Sequence, residues 1–395
     1  MERGFITGLA VAMALSATPL FFDLALCIAG NLFWPRRPGG VRRAISLAVV
    51  VPAHDEESMI ARTVLSLKAA GSTSAIFVVA HNCSDGTAKA ATDAGAQVVE
   101  LNNPKLRGKG AALRCGFAAA LDAGANAVLV VDADSVVSSN LIAATRAMLE
   151  QGAEATQCRY ELEIPGPGAQ AGHAHPLARL RALAFRGLNV LRARGRAGLG
   201  FSTGLFGNGF ALTAALLERV PFNANSIAED VEYHTRLVEE GVQVYWTGDA
   251  FVHAHSPASS AAQATQEARW EGGRLHVASR ATRRLLTALL HGHWRALETL
   301  ADVWSLPLSR GILALMLTAA LAVDWLHVFA LVCAAIGLLY VLESVLLGNE
   351  PVRDLAALAG APLYIAWKAL ITPLVLRQSR SRAAWARTKR EAPQS

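Results

Sequence analysis

Two carboxylates one residue apart, Asp132 and Asp134, end the apolar run from Val128 to Val131. Hard oxygen donors at that spacing suit Mg²⁺ or Mn²⁺ shared with a substrate diphosphate. For so short a pattern, an Asp-rich turn after a strand is the other reading. A second acidic pair, Glu229 and Asp230, opens a helix. The pair either complements the helix dipole as caps or includes a general base at Asp230. Arg107 and Lys109 sit at a helix start among glycines. Exposed N–H groups and two cations there make an anion site, with a solvated turn as the alternative. The glycine-dense stretch 202–210 suits close backbone approach. Three H-x-H pairs (His173/His175, His253/His255, His291/His293) do not make a zinc site. On a strand such a pair points to opposite faces, and no CxxC or HExxH accompanies them.

These residues need elements to hold them. The run at Val128 has the continuous hydrophobicity of a buried parallel strand. Further strands are expected at Leu47–Val51, Ala75–Ala80 and Gln97–Leu101. Helices are expected to follow them, through about Ala70, Ala94 and Leu121. That alternation implies a parallel sheet with covering helices. The polar loops, including those at Pro52–Glu57 and His81–Thr87, all follow strands, at the edge where such sheets bind ligands. Residues from Ile164 to Gly200 read as a long loop and helix crossing a surface.

The chain has 395 residues, 53% hydrophobic and 17% charged, with a mean hydropathy of +0.32. A soluble domain with a few membrane segments fits that balance. Five scattered cysteines imply neither a zinc nor a disulfide framework and suit a reducing compartment. The net charge of +6 gathers in Arg36, Arg37, Arg42 and Arg43 and in the tail from Arg377 to Arg390. Such clusters beside apolar segments read as cytoplasmic flanks, with no nucleic-acid module in sight.

The organisation expected is therefore a membrane anchor and basic flank at 1–44 and a catalytic domain at 45–280. An interfacial amphipathic helix follows at 281–304, then a transmembrane hairpin at 305–348. A re-entrant or interfacial segment with a basic cytoplasmic tail occupies 349–395. A cleaved signal peptide is the rival reading of the first segment. Asp23, inside the anchor, faces a neighbouring helix, marks a break or serves a function.

Taken together, the motifs resemble membrane-embedded family 2 glycosyltransferases, a group that includes cellulose, chitin and hyaluronan synthases and ceramide glucosyltransferases. The resemblance covers roughly Leu47 to Arg274. It rests on Pro52 to Glu57, Asn82 to Asp85, Gly108 to Gly110, Asp132 with Asp134, Glu229 with Asp230, and Gln266, Arg269 and Trp270 of a Q-x-x-R-W motif. It implies an α/β, GT-A fold with a Rossmann-like mixed sheet, and membrane helices at both ends. It also implies a donor site of Pro52, Asp55, Glu56, His81, Asp85, Arg107, Lys109, Asp132, Gln266 and Arg269. By the same resemblance, Asp134 with Asp132 holds Mg²⁺ or Mn²⁺, and Asp230 with Glu229 is catalytic. Gly207, Asn208, Gly209 and Trp270 lie at the acceptor. His81 departs from the Asp that many relatives carry in the uracil-side loop.

The expected reaction is an inverting transfer from a nucleotide sugar, UDP-linked by resemblance, to a lipid or lipid-linked saccharide in envelope polysaccharide or glycolipid synthesis. The expected place is a bacterial inner membrane, with the catalytic domain in the cytoplasm. A processive polysaccharide synthase of the same family is the nearest alternative. A sugar-nucleotidyltransferase or an inactive nucleotide-binding scaffold are readings of other classes.

Overall fold

The computed structural model describes residues 2–71, 74–163, 176–255, 260–321 and 325–380. A 30-residue helix, α1 (Glu2–Asn31), comes first. Then follow β1 (Leu47–Ala53), α2 (Glu57–Ala69), β2 (Ile76–His81), α3 (Thr87–Asp93), β3 (Gln97–Leu101), α4 (Lys109–Asp122) and β4 (Ala127–Val130). The second half of the sheet brings β5 (Ser135–Val137), α5 (Leu141–Glu150), β6 (Ala155–Glu163), α6 (Pro176–Arg186), α7 (Arg192–Leu199), β7 (Phe210–Thr213), α8 (Ala214–Arg219), α9 (Glu229–Glu239) and β8 (Val244–His255). A π-helical turn, Gly187–Leu191, joins α6 to α7. The chain then stays helical: α10 (Ser260–Leu290), α11 (Ala296–Trp304), α12 (Leu308–Leu321), α13 (Trp325–Leu346), α14 (Pro351–Ala357), α15 (Ala361–Leu370) and α16 (Thr372–Arg380).

The eight strands form one sheet in the order β3-β2-β1-β4-β7-β6-β8-β5. The first four are parallel, as alternating strands and helices require. β7 then runs antiparallel to β4 and to β6, and β5 antiparallel to β8. The sheet is thus mixed, with its parallel half where the strand–helix alternation is regular. Central strands bury both faces. Val49 and Val51 join Ile60, Val64 and Leu67 of α2 on one side. Ala48 and Val50 join Leu113 and Phe117 of α4 and Leu237 of α9 on the other. Side chains alternate across a strand, so an unbroken apolar run feeds two cores at once. Each fully buried Val or Leu contributes roughly 1.5–3 kcal/mol.

Residues 176–199 differ from the surface crossing expected of them. Arg181, Arg186, Arg192 and Arg196 are all buried, and α7 packs along α1. The helices touch backbone to backbone: a Cβ added to Gly30 would lie 2.0 Å from the Gly195 carbonyl oxygen. The arginines are tolerated inside because carboxylates remote in sequence meet them. Arg196 Nη2 is 3.1 Å from Asp23 Oδ1, and Arg196 Nε is 2.5 Å from Glu298 Oε1. Arg186 Nη1 is 2.7 Å from Asp354 Oδ2. Asp23 therefore faces α7, where it pairs with both Arg192 and Arg196.

Among the described residues, two helices are long and apolar enough to cross a membrane, Phe5–Asn31 and Trp325–Leu346, or up to four if each of two bent pairs is one span. Those pairs are α11 with α12, bent by 76°, and Pro351–Leu370 with Thr372–Ser379, bent by 43°. The last apolar run is thus broken near Gly360, where a 3₁₀ turn intervenes, and again between α15 and α16. The single amphipathic helix expected over 281–304 is instead the last third of α10 followed by α11. The helix of the Q-x-x-R-W motif continues without a break past residue 280. Residues 164–175, with His173 and His175, and the basic tail beyond 380 lie outside the described residues.

Candidate active site

The ends of β1 and β4, the loop before β7 and the starts of α4 and α9 converge on one cavity of about 1230 Å³. Pro52, His54, Glu56, Arg107, Lys109, Asp132, Asp134, Gly207, Glu229, Asp230, Gln266, Arg269 and Trp270 all line it. Residues 52 to 270 in sequence thus share one wall. Among the described residues, Asp55, His81, Asp85, Asn208 and Gly209 are the predicted site residues outside that lining.

Lys109 is the centre of the acidic cluster. Its Nζ lies 2.5 Å from Asp132 Oδ1 and 3.9 Å from Glu229 Oε1, and donates to the Gly207 carbonyl at 2.6 Å. The helix start at Gly108 therefore aims its lysine inward at carboxylates. Arg107 stays exposed and donates to the Pro104 carbonyl. Burial alone pulls the Lys109 ammonium down, but Asp132 and Glu229 outweigh it and hold the group above its ordinary range. Burial, then the neighbouring Asp230, pushes the Glu229 carboxyl up to about 7. Asp230 is raised too, by burial first, while the N–H groups of the helix start oppose the rise. Its Oδ1 accepts from the Val231 N–H at 2.8 Å inside the first turn of α9, whose N-cap residue is Ala228.

Asn208 acts from behind the wall. It is fully buried, accepts from the Asp132 N–H at 3.0 Å and donates to Ser135 Oγ at 2.9 Å. It thereby fixes the backbone that carries Asp132 and Asp134. The Gly209 N–H donates to the Val130 carbonyl at 2.9 Å, which locks the same corner. Gly207 faces the cavity with φ +76°, and a Cβ there would lie 3.1 Å from Asp230 Oδ2 and 3.5 Å from Lys109 Nζ. An L-residue in that backbone conformation costs about 1–2 kcal/mol. Gly207→Ala is expected to lower turnover about tenfold, by strain and by displacing Asp230. Steady-state rates with unchanged circular dichroism would show this; a rate equal to wild type would count against close approach at this glycine.

The loops after β1 and β2 interlock beside the cavity. Asp55, at φ +52°, accepts from the Ser84 N–H at 2.6 Å. The Glu56 N–H donates to Thr87 Oγ1 at 2.8 Å. Asp85 accepts from the Glu57 and Thr87 N–H groups at 3.2 and 3.0 Å. His81 is buried, and burial lowers its pKa and favours the neutral ring. Its Nε2 lies 2.8 Å from the Leu106 carbonyl, so that nitrogen carries the proton.

On α10, Gln266 Oε1 accepts from Arg181 Nη2 at 2.5 Å, and Glu267 Oε1 from Arg181 Nε at 3.1 Å. Lys368 of α15 pairs with Glu267 and lies 2.6 Å from Glu271. Trp270 leans on Phe185 of α6 with ring centroids 5.9 Å apart. Arg181, Glu267 and Lys368 are site-shaping residues that sequence reasoning missed. The one available signal is a lysine, Lys368, inside the otherwise apolar run 355–376.

A family model described as glycosyltransferase-like family 2 matches residues 44–273. The chain belongs to that family. The family 2 region holds every sheet strand and every cavity residue named at the acidic cluster. Protein RfbJ of Shigella flexneri is 33% identical over 97 residues, 25% of this chain and 70% of that protein. Among solved structures, a mannosyltransferase from Pyrobaculum calidifontis in complex with GDP-Man and Mn²⁺ is similar over 95% of this chain and 97% of its own. Its TM-score is 0.57 and its identity 18%, a likeness of fold, and that fold is GT-A. Glucosyl-3-phosphoglycerate synthase from Mycobacterium tuberculosis, in complex with Mn²⁺, UDP and phosphoglyceric acid, has a TM-score of 0.40 at 20% identity, over 61% of this chain and 78% of that one.

Proposed function

We propose that this glycosyltransferase moves a sugar from a nucleotide-sugar donor, with inversion, to a lipid or lipid-linked acceptor at a bacterial inner membrane, as a step of envelope polysaccharide or glycolipid synthesis. The observation that carries the reading is the single cavity running from Asp132, Asp134 and Asp230 to residues of α1, α12, α13 and α15. A water-soluble acceptor needs no wall of that kind.

Asp230 is the base that takes the acceptor proton, with Glu229 beside it. Lys109 holds Asp132 and the Gly207 carbonyl in place, so that the carboxylates stay ordered as the donor arrives. Arg107 and Arg269 stand on the side of the departing diphosphate, and Gln266 orients that end of α10. The loops of Pro52, Asp55, Glu56, His81 and Asp85 hold the nucleoside. Gly207 and Trp270 bound the acceptor, with Asn208 and Gly209 supporting from behind. Asp132 and Asp134 fit Mg²⁺ or Mn²⁺, being two hard carboxylate donors on the cavity wall. The ion supplies positive charge to the diphosphate when bound.

The test is turnover of a panel of UDP- and GDP-sugars by detergent-solubilised protein with membrane lipid extract and Mn²⁺. One donor is expected to turn over, with a loss of about 10²-fold or more on chelation. No turnover of any donor would favour the inactive-scaffold reading, and release of pyrophosphate from an added nucleoside triphosphate and sugar 1-phosphate the nucleotidyltransferase one.

The pH dependence has opposite signs for rate and stability. A base must be ionised, so the rate is expected to fall as pH drops through the raised pKa values of the pair. Its acid limb then lies above the ordinary carboxylate values of 3.8 and 4.5. Glu229 binds its proton more tightly folded than unfolded. Its stabilising contribution is therefore fully present below 4.5 and is lost as pH rises to about 7. Rate and thermal midpoint measured across that window should move in opposite directions. A rate that is flat down to pH 4.5 would contradict the assignment.

A further inference from the structure

The cavity continues past the carboxylates into the helical half of the molecule, where Leu24 of α1, Ile312 of α12, Val341 of α13 and Ile365 of α15 line it. α13 packs on α1 and α12, and α15 on α12 and α6, so the space lies among them. At about 1230 Å³ it exceeds the roughly 300–1,000 Å³ that holds one drug-sized ligand, which leaves room for a second molecule beside a donor.

Most of the basic side chains along this half are matched by acids; of those lining it, Arg280 is exposed on α10, and Arg269 lies at the donor end. Arg192 and Arg196 face Asp23 and Asp302, and Arg274 faces Asp302. Arg181 and Lys368 face Glu267, and Arg310 faces Glu271. Along the buried part of the passage an anionic headgroup would meet these already neutralised cations, and it would end beside Glu229 and Asp230. Burial raises both of those carboxyls, and a further negative charge would disfavour their ionised forms more. A phosphate oxygen is ionised at neutral pH and needs no base to attack. A hydroxyl does need one, and Asp230 sits where the passage meets the donor loops.

We infer that the acceptor is an uncharged lipid alcohol whose tail lies along Leu24, Ile312, Val341 and Ile365 and whose hydroxyl meets Asp230; this rests on the transferase reading above. In the step, the hydroxyl oxygen bonds to the anomeric carbon and its proton passes to the Asp230 carboxylate. The bond from the anomeric carbon to the diphosphate oxygen breaks, and the electron pair leaves with the nucleoside diphosphate.

The experiment uses the full chain in phosphatidylcholine nanodiscs and hexadecanol bearing a diazirine in its tail. Peptides carrying Val341 and Ile365 should be labelled. Unlabelled hexadecanol should reduce that labelling roughly tenfold, and hexadecyl phosphate should leave it nearly unchanged. Equal or better competition by hexadecyl phosphate overturns the proposal. So does label confined to outward-facing positions such as Leu331 and Leu339. Labelling needs no donor. No turnover of any nucleotide sugar therefore overturns the transferase reading and the acceptor with it, whereas turnover with an unlabelled passage overturns the lipid alcohol alone.

Discussion

Asp230→Asn is expected to lower kcat by about 10²–10⁴-fold, the usual weight of a positioned general base, with little change in the KM for the donor. The amide has nearly the shape of the carboxylate. Its oxygen can still accept from the Val231 N–H that Asp230 Oδ1 now engages at 2.8 Å, so the start of α9 should persist. What is lost is the ability to take a proton. Glu229→Gln serves as the comparison. Glu229 is buried, and its carboxyl, at about 7, is less often ionised than an ordinary glutamate, so its removal should cost less rate. Steady-state kinetics of the two variants decide the matter. If Glu229→Gln is the dead enzyme and Asp230→Asn the active one, the base is Glu229.

Arg196→Met should be the most destabilising single change at the junction of the two halves, by about 3–5 kcal/mol, the cost of stranding buried charge. Arg196 is 3% exposed and meets Asp23 of α1, and Glu298 and Asp302 of α11. Without it, Arg192 and Arg274 must answer three acids. The thermal midpoint of the solubilised protein should fall sharply. Adding Asp23→Leu should restore part of the loss, because a buried acid disappears with its partner. A midpoint unmoved by Arg196→Met would show that the close approach of Gly30 and Gly195, with the Arg192–Asp23 pair, suffices to hold α7 to α1.

The chemistry-bearing residues and the parallel half of the sheet were legible in the sequence for physical reasons. A strand buried on both faces must be apolar throughout, and the loops at its carboxyl end must carry the polar groups, so Asp132, Asp134 and the loops after β1 and β2 announce themselves by position. The start of α9 was legible too, because acids collect where a helix dipole favours them.

Other features depend on contacts between segments far apart in the chain, and local pattern carries no record of those. Arg181, Arg186, Arg192 and Arg196 look like surface residues until Asp23, Glu267, Asp302 and Asp354 are brought to them. Lys368 looks like a break in an apolar run until Glu267 and Glu271 reach it. Lys109 looks like a free anion binder until α9 and the loop at Gly207 close over it. The sequence by itself determined which groups can act and the sheet edge that presents them. The tertiary structure alone decided that the edge opens into a passage among membrane-class helices, because only packing turns charges that are costly singly into matched pairs that can be buried.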